Sequence, residues 1–221
     1  FIVSVYMARF IGAAGVGSYS FVVAFFGIFS TFSLLGLSNL VVREIAWGGT
    51  DANKILVNFA GIGLVSTSFF LVLMCATIYV VKYASDIRVS VCLMGLALSA
   101  NFMIQIYESI FIAVGKVMYI TGVTLLVNIL KSLTSIVFLV SGFKLIALIA
   151  IIVFFNFINL LFYIYISFRF IGKPIFKIDD LYCRKIIKLA PTFFSICILA
   201  SFLNSVPIIV LSKVKDMAEL G

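Results

Sequence analysis

The chain has 221 residues, of which 64% are hydrophobic and 11% are charged, and its mean hydropathy is +1.30. Soluble globular domains carry about 45–50% apolar and about 25% charged residues, so a soluble fold of this length could not cover its apolar surface. The net charge of +8 would favour nucleic-acid binding in a soluble protein. Here the charges sit at the ends of apolar runs, where lipid headgroups and topology explain them, and we expect no nucleic-acid partner.

The absence of histidine excludes histidine-based acid–base catalysis and histidine-ligated metal sites. The four cysteines show no CxxC spacing, and three of them lie in apolar runs, where a cysteine is usually a small packing residue. We therefore predict no disulfide, no metal site and no cofactor.

The apolar runs are about twenty residues long, which is the length of a transmembrane helix, and they lack the alternation of barrel strands. We predict an all-α polytopic membrane protein. Its predicted spans are 18–42, 55–81, 89–113, 117–140, 145–168 and 187–211.

Before these spans, the segment Phe1–Ile11 is apolar but would reach only about 17 Å as a helix, against about 30 Å of hydrocarbon. We interpret it as a first helix without its N-terminal half, and the end of the chain, after Leu211, as similarly truncated. The glycines at Gly12, Gly15 and Gly17 do not follow the GxGxxG order and follow no strand, which argues against a dinucleotide loop. They predict a tight reversal between two helices.

The longest connection, Arg169–Lys188, is rich in basic residues, so the positive-inside rule places it in the cytoplasm. Alternation then puts the connections at Lys116 and at Arg43–Lys54 on the same side. The opposite side carries fewer basic residues, namely Arg9, Lys82, Arg88, Lys144, Lys213 and Lys215. This topology also predicts a cytoplasmic N-terminus.

Ionisable groups deep in a span are costly, which makes each of them a functional candidate. Lys131 lies about 22 Å along the predicted helix 117–140. It belongs to a polar stripe with spacings of three and four residues, typical of one helical face. The members of the stripe are Thr121, Thr124, Asn128, Lys131 and Ser135.

The preceding helix carries a second stripe of Asn101, Gln105 and Glu108, and Asn101 is about level with Lys131 in depth. Two adjacent helices can thus present polar stripes at matched depth, and Glu108 is a candidate carboxylate partner of Lys131 if the lysine snorkels. The sequence leaves open whether the two stripes face each other. Two alternatives stay open for the amides. They hold helices together by hydrogen bonds, or they contact a polar ligand. A third, weaker stripe comprises Asn156, Asn159 and Tyr163.

Several short motifs resemble one known family. The segment "YMARFIGAAGVGSYSFVVAFFGIFSTFSLLGLSNLVVREIA" is similar to the N-terminal signature of bacterial polysaccharide flippases, the O-antigen and capsule transporters of the multidrug/oligosaccharidyl-lipid/polysaccharide exporter superfamily. The matching motifs are Arg9–Gly12, Gly17–Ser20, Leu35–Leu37 and Arg43–Ala46. Near the other end, "KLAPTFFS" and "PIIVLSKVKDMAELG" resemble the start of the family's second half.

The resemblance implies two six-helix bundles around a cavity that opens alternately to either side. In this arrangement, residues 1–170 form the N-terminal bundle, 171–186 a basic cytoplasmic loop between the bundles, and 187–221 the first helix of the C-terminal bundle. It implies a multi-pass protein of the bacterial inner membrane that is a transporter and not an enzyme. The implied partners are an undecaprenyl-diphosphate-linked glycan, the lipid bilayer, and the polysaccharide polymerase with its chain-length machinery.

For such a substrate, cationic groups would lower the cost of moving a diphosphate through lipid, and amides would exchange hydrogen bonds with sugars. The predicted substrate contacts comprise three cations, three amides and one carboxylate. They are Arg9, Arg43, Lys131, Asn101, Gln105, Asn128 and Glu108. For Arg9 and Arg43, which lie at helix ends, headgroup anchoring is an equal alternative.

Three other functions remain open. A multidrug/cation antiporter of the same superfamily would bind cations through buried carboxylates, for which Glu108 is the candidate. A peptidoglycan-precursor flippase would need the same cationic cavity. A membrane-bound polysaccharide polymerase or glycosyltransferase would need a large extramembrane loop, whereas no connection here exceeds about twenty residues.

Overall fold

The computed structural model describes residues 2–47 and 52–170, together with six isolated positions between 172 and 191. Within these ranges the chain forms helices and no strand, which confirms the all-α prediction. The helices are α1 (Ile2–Leu34), α2 (Leu37–Ala46), α3 (Ala52–Val80), α4 (Ser85–Gly95), α5 (Ala97–Ala113), α6 (Val117–Val140) and α7 (Leu145–Phe170).

Five segments of this described part are long and apolar enough to cross a membrane, and they confirm a multi-pass membrane protein. They are Val3–Leu34, Ala52–Val80, Ser85–Ala113, Val117–Val140 and Leu145–Phe170, with α4 and α5 forming one span. Four of them agree with the predicted spans to within a few residues. The predicted span 187–211 lies outside the described residues.

The turn predicted at the glycine-rich segment is present at Gly12, whose φ of 75° and ψ of 174° interrupt α1. Val3 and Tyr19 line the same cavity although a continuous helix would hold them about 24 Å apart. The chain therefore bends sharply at Gly12, and the arm before it packs through Met7 against Leu139 of α6.

The predicted span 18–42 is wrong as a single helix, because the chain breaks between α1 and α2. Leu35 and Gly36 have φ values of 53° and 68°, and two consecutive left-handed residues cannot continue a right-handed helix. Beyond the break, α2 buries Leu37, Leu40 and Val41 and packs mainly against α5. Hydropathy continues across the break, so the apolar run alone did not reveal it.

The connections lie at two ends of the bundle. At one end, which we call the turn face, the Gly12 turn, the α3–α4 connection and the α6–α7 connection line one pocket. At the other end, which we call the basic face, Lys54 pairs with Asp179 at 2.8 Å and the Lys116 ammonium lies 4.5 Å from the Phe170 ring centroid. The alternation of connections in the predicted topology therefore agrees with the fold.

Close packing of α3 on α5 depends on Gly63. A Cβ atom at this position would lie 2.1 Å from Cε1 of Phe102, and the Phe102 ring is only 2% exposed, so it cannot swing aside. Such small residues let membrane helices approach closely.

We therefore expect Gly63→Ala to destabilise the bundle by about 1–3 kcal/mol, the usual range for overpacking. Gly122→Ala is the matched control, because no atom lies within 4 Å of a Cβ built there. Thermal unfolding of the purified protein in detergent would show a lower Tm for Gly63→Ala alone. Equal melting of the two variants would contradict this account of the α3–α5 contact.

Candidate functional site

Lys131 lines a cavity of about 150 Å³ between α1, α6 and α7. Its side chain is half-buried, about 14 Å from the turn-face end of α6. Among the described residues, neither of the two ion pairs involves Lys131. The structure thus places an ammonium group inside the spans beside a cavity and without a carboxylate partner in the part of the chain it describes.

The other polar groups of this cavity are hydroxyls. Ser132 donates to the carbonyl of Asn128 and Ser135 to the carbonyl of Lys131, both at 2.8 Å, so their protons are already used within α6. Tyr19 also lines the cavity, and its hydroxyl makes no hydrogen bond within the described residues. The donors that remain for a bound group are therefore the Lys131 ammonium and the Tyr19 hydroxyl, an arrangement suited to an anion.

Tyr19 was not among the predicted contacts. Its signal in the sequence was its place in the Gly17–Ser20 motif, about two helical turns after the bend at Gly12. Only the reversal at Gly12, which folds the first arm of α1 back, shows that Tyr19 shares a cavity with Val3.

Glu108 belongs to a hydrogen-bonded chain that joins three helices. The Tyr163 hydroxyl of α7 donates to Oε1 of Glu108 at 2.9 Å and lies 2.7 Å from Oγ1 of Thr124 on α6. Because the single Tyr163 proton goes to the carboxylate, Thr124 is the donor in the second bond. Tyr163 is fully buried, so this chain lies inside the bundle, about 8–12 Å from the basic face.

The pairing of Glu108 with Lys131 is absent from the described residues, and the polar stripes of α5 and α6 mostly do not face each other. α6 packs chiefly against α7 and α1 and makes fewer contacts with α5. Only Thr124 of its stripe reaches Glu108, through Tyr163. Lys131 lies seven residues, or about 10 Å, further along the helix, beside the cavity with α1 and α7.

Asn101 of α5 bonds to α1 and not to α6. Its Nδ2 atom donates to Oγ of Ser30 on α1 at 2.7 Å. On the same stretch of α1, the carbonyl of Ser33 accepts from Ser66 of α3 at 2.7 Å. These bonds connect α1, α3 and α5, which favours the packing interpretation for the Asn101 amide.

The remaining predicted contacts lie apart from the Lys131 cavity. Arg9 is exposed near the turn face, whereas Arg43 lies at the end of α2 with its guanidinium 5.1 Å from the Trp47 ring centroid and 3.6 Å from Glu44. Gln105 is half-buried, and Asn128 is exposed on the outside of the described bundle. The structure therefore does not gather the seven predicted contacts into one site.

No group of three or more His, Cys, Asp or Glu that could hold a metal lies within the described part of the chain. Cys75 and Cys92 are half-buried free cysteines. These two thiols lie on adjacent packed helices, α3 and α4.

Comparison with known proteins shows the family to which the chain belongs. A family described as polysaccharide biosynthesis protein matches residues 1–221, the whole chain. The chain belongs to this family. No curated protein and no solved structure matches it. Together with the apolar helices, family membership establishes a membrane protein of the polysaccharide biosynthesis and export type.

The Glu108–Tyr163–Thr124 chain gives a stability prediction for this family member. Tyr163→Phe removes the hydroxyl that donates to the half-buried Glu108 carboxylate, which typically costs about 1–3 kcal/mol. Tyr165→Phe is the matched control, since Tyr165 lies on the same helix and is 68% exposed. Thermal unfolding in detergent should give a Tm several degrees lower for Tyr163→Phe only. Unchanged melting of Tyr163→Phe would mean that the hydroxyl contributes nothing to the bundle.

Proposed function

We propose that this protein is a flippase. It moves an undecaprenyl-diphosphate-linked oligosaccharide, an O-antigen or capsule repeat unit, from the cytoplasmic to the periplasmic leaflet of the bacterial inner membrane by alternating access. In this proposal it is a transporter and not an enzyme. Membership of the polysaccharide biosynthesis family supports the substrate class. The observation that carries the proposal is the Lys131 ammonium beside a cavity within the spans.

The physical difficulty of this transport is the diphosphate, because moving an isolated charge into hydrocarbon costs many kcal/mol. A fixed ammonium in a cavity lowers that cost by charge-assisted hydrogen bonding. The cavity of about 150 Å³ is smaller than the 300–1,000 Å³ typical of pockets for whole small molecules. It therefore suits a phosphate group, while the glycan would occupy space outside it.

Arg9 and Arg43 suit a path rather than a single site. They lie near opposite ends of the bundle, Arg9 close to the turn face and Arg43 at the end of α2 on the basic face. In the proposal Arg43 meets the diphosphate before Lys131, and Arg9 meets it after Lys131. Gln105 and Asn128 are the amides left for the glycan, because Asn101 already bonds to Ser30.

A second candidate function is cation antiport, which the half-buried carboxylate of Glu108 within the spans favours. Its hydrogen bond from Tyr163 places it among neutral hydroxyls, without a basic partner in the described ion pairs. Antiport would depend on Glu108, whereas diphosphate transport depends on Lys131. Substitutions that neutralise Glu108 or Lys131 one at a time therefore distinguish the two functions.

The test is complementation of a bacterium that lacks its own flippase but makes the lipid-linked glycan. The full-length protein should restore surface polysaccharide. Lys131→Met keeps the aliphatic stem and removes the charge, so it should lower the transport rate about tenfold or more, the cost of charged hydrogen bonds. Lys131→Arg should retain most activity because it keeps the cation.

Lys116→Met is the control at matched expression, because Lys116 lies over the Phe170 ring at the end of α6 and not in the cavity. Full transport by Lys131→Met would contradict the proposal. Loss of drug export in a Glu108→Gln variant, with no effect on surface glycan, would support antiport instead. Accumulation of unpolymerised glycan repeat units that have been delivered normally to the periplasm would indicate a polymerase.

A further inference from the structure

A second, larger pocket of about 540 Å³ lies at the turn face and takes no part in the proposed transport path. It is bordered by the Gly12 turn, the start of α4 and the connection from α6 to α7. Its volume falls in the range of pockets that hold small molecules, about 300–1,000 Å³. The Lys131 cavity shares none of its lining residues.

Most of the pocket wall is apolar. Leu139, Ile87 and Leu145 are buried residues of this wall, with exposures of 0%, 6% and 7%. Phe10 and Phe143 line it as well, yet their side chains are 47% and 52% exposed. At the end of a membrane span such half-exposed rings lie at the level of lipid headgroups and upper acyl chains.

Two opposite charges complete the lining. Asp86, in the first turn of α4, and Lys144, just before α7, both border the pocket and are exposed. They form no ion pair with each other, and the one side-chain contact recorded for Asp86 is a 3.4 Å bond from Ser85. Both charges are thus available to a ligand in the described part of the structure.

The helix dipoles add little net charge to this pocket. Each connection at the turn face ends one helix and begins the next, so negative C-termini and positive N-termini border the pocket together. Asp86 lies at the positive end of α4, whereas Lys144 lies between the C-terminus of α6 and the N-terminus of α7, where the two dipoles oppose each other. Recognition of a charged ligand therefore depends on the Asp86 and Lys144 side chains themselves.

We propose that the turn-face pocket binds the headgroup of an ethanolamine phospholipid. The phosphate meets Lys144, the ammonium meets Asp86, and the upper acyl chain lies on the wall formed by Phe10, Leu139 and Phe143. An anionic phospholipid would leave Asp86 facing a negative group, and a soluble zwitterion would leave the apolar wall uncovered. This inference is independent of the proposed transport, since Lys131 plays no part in it.

The experiment is lipid binding to the delipidated full-length protein, measured by native mass spectrometry. Phosphatidylethanolamine, phosphatidylglycerol and phosphatidylcholine of identical acyl chains are compared. The wild type should retain phosphatidylethanolamine most strongly. Lys144→Gln should weaken its binding about fivefold, the effect of one basic charge near a lipid surface. Asp86→Asn should weaken phosphatidylethanolamine binding but not phosphatidylglycerol binding.

Lys82→Gln is the matched control, because Lys82 is exposed on the same face and does not line the pocket. It should leave the binding of all three lipids unchanged. Preference for phosphatidylglycerol, equal retention of the three lipids, or equal losses in Lys82→Gln and Lys144→Gln would each overturn the proposal. All the variants change exposed side chains, and melting temperatures equal to that of the wild type would confirm that each variant is folded.

Discussion

The absence of water from the hydrocarbon core is the constraint on which the rest of this structure depends. Every polar side chain within a span must find a partner in the protein, a water-filled cavity or a ligand, because lipid offers none. The helices satisfy their own backbones, so the fold is decided by where side chains such as Asn101, Glu108 and Tyr163 meet across helices. Glu108 and Asn101 each bond to a neighbouring helix and thereby fix which helices are neighbours.

Lys131 differs from these residues in having a cavity in place of a protein partner in the described structure. The hydroxyls of Ser132 and Ser135 bond back to their own helix, so they do not compete for it. Helix packing does not explain the Lys131 ammonium, because the side chains that join helices in this bundle, such as Asn101 and Tyr163, each bond to a neighbouring helix, and Lys131 does not do so within the described residues. Its position between the two ends of the bundle is what an intermediate contact for a moving anion requires.

The sequence was sufficient for most of the fold and for little of the site. Spans such as Val117–Val140 are bounded by charges and glycines, and Gly115 and Gly142 adopt left-handed φ values that end the preceding helices, so their limits could be predicted. The break at Leu35 could not, because a leucine gives no signal of a positive φ. Whether the polar stripes of α5 and α6 face each other could not be predicted either, because the polar face of one helix does not reveal which neighbour it meets, and α6 packs mainly on α7 and α1.

The most direct test of the central claim is the chemical accessibility of the Lys131 cavity. In a full-length protein whose native cysteines are replaced, Ser132→Cys would be labelled with an anionic and a cationic thiosulfonate, and the buried position Ile149→Cys would serve as control. The account predicts that Ser132→Cys reacts, that the anionic reagent reacts several-fold faster, and that Lys131→Met removes this preference. A thiol at Ser132 as unreactive as one at Ile149, or reactive without charge preference, would contradict it.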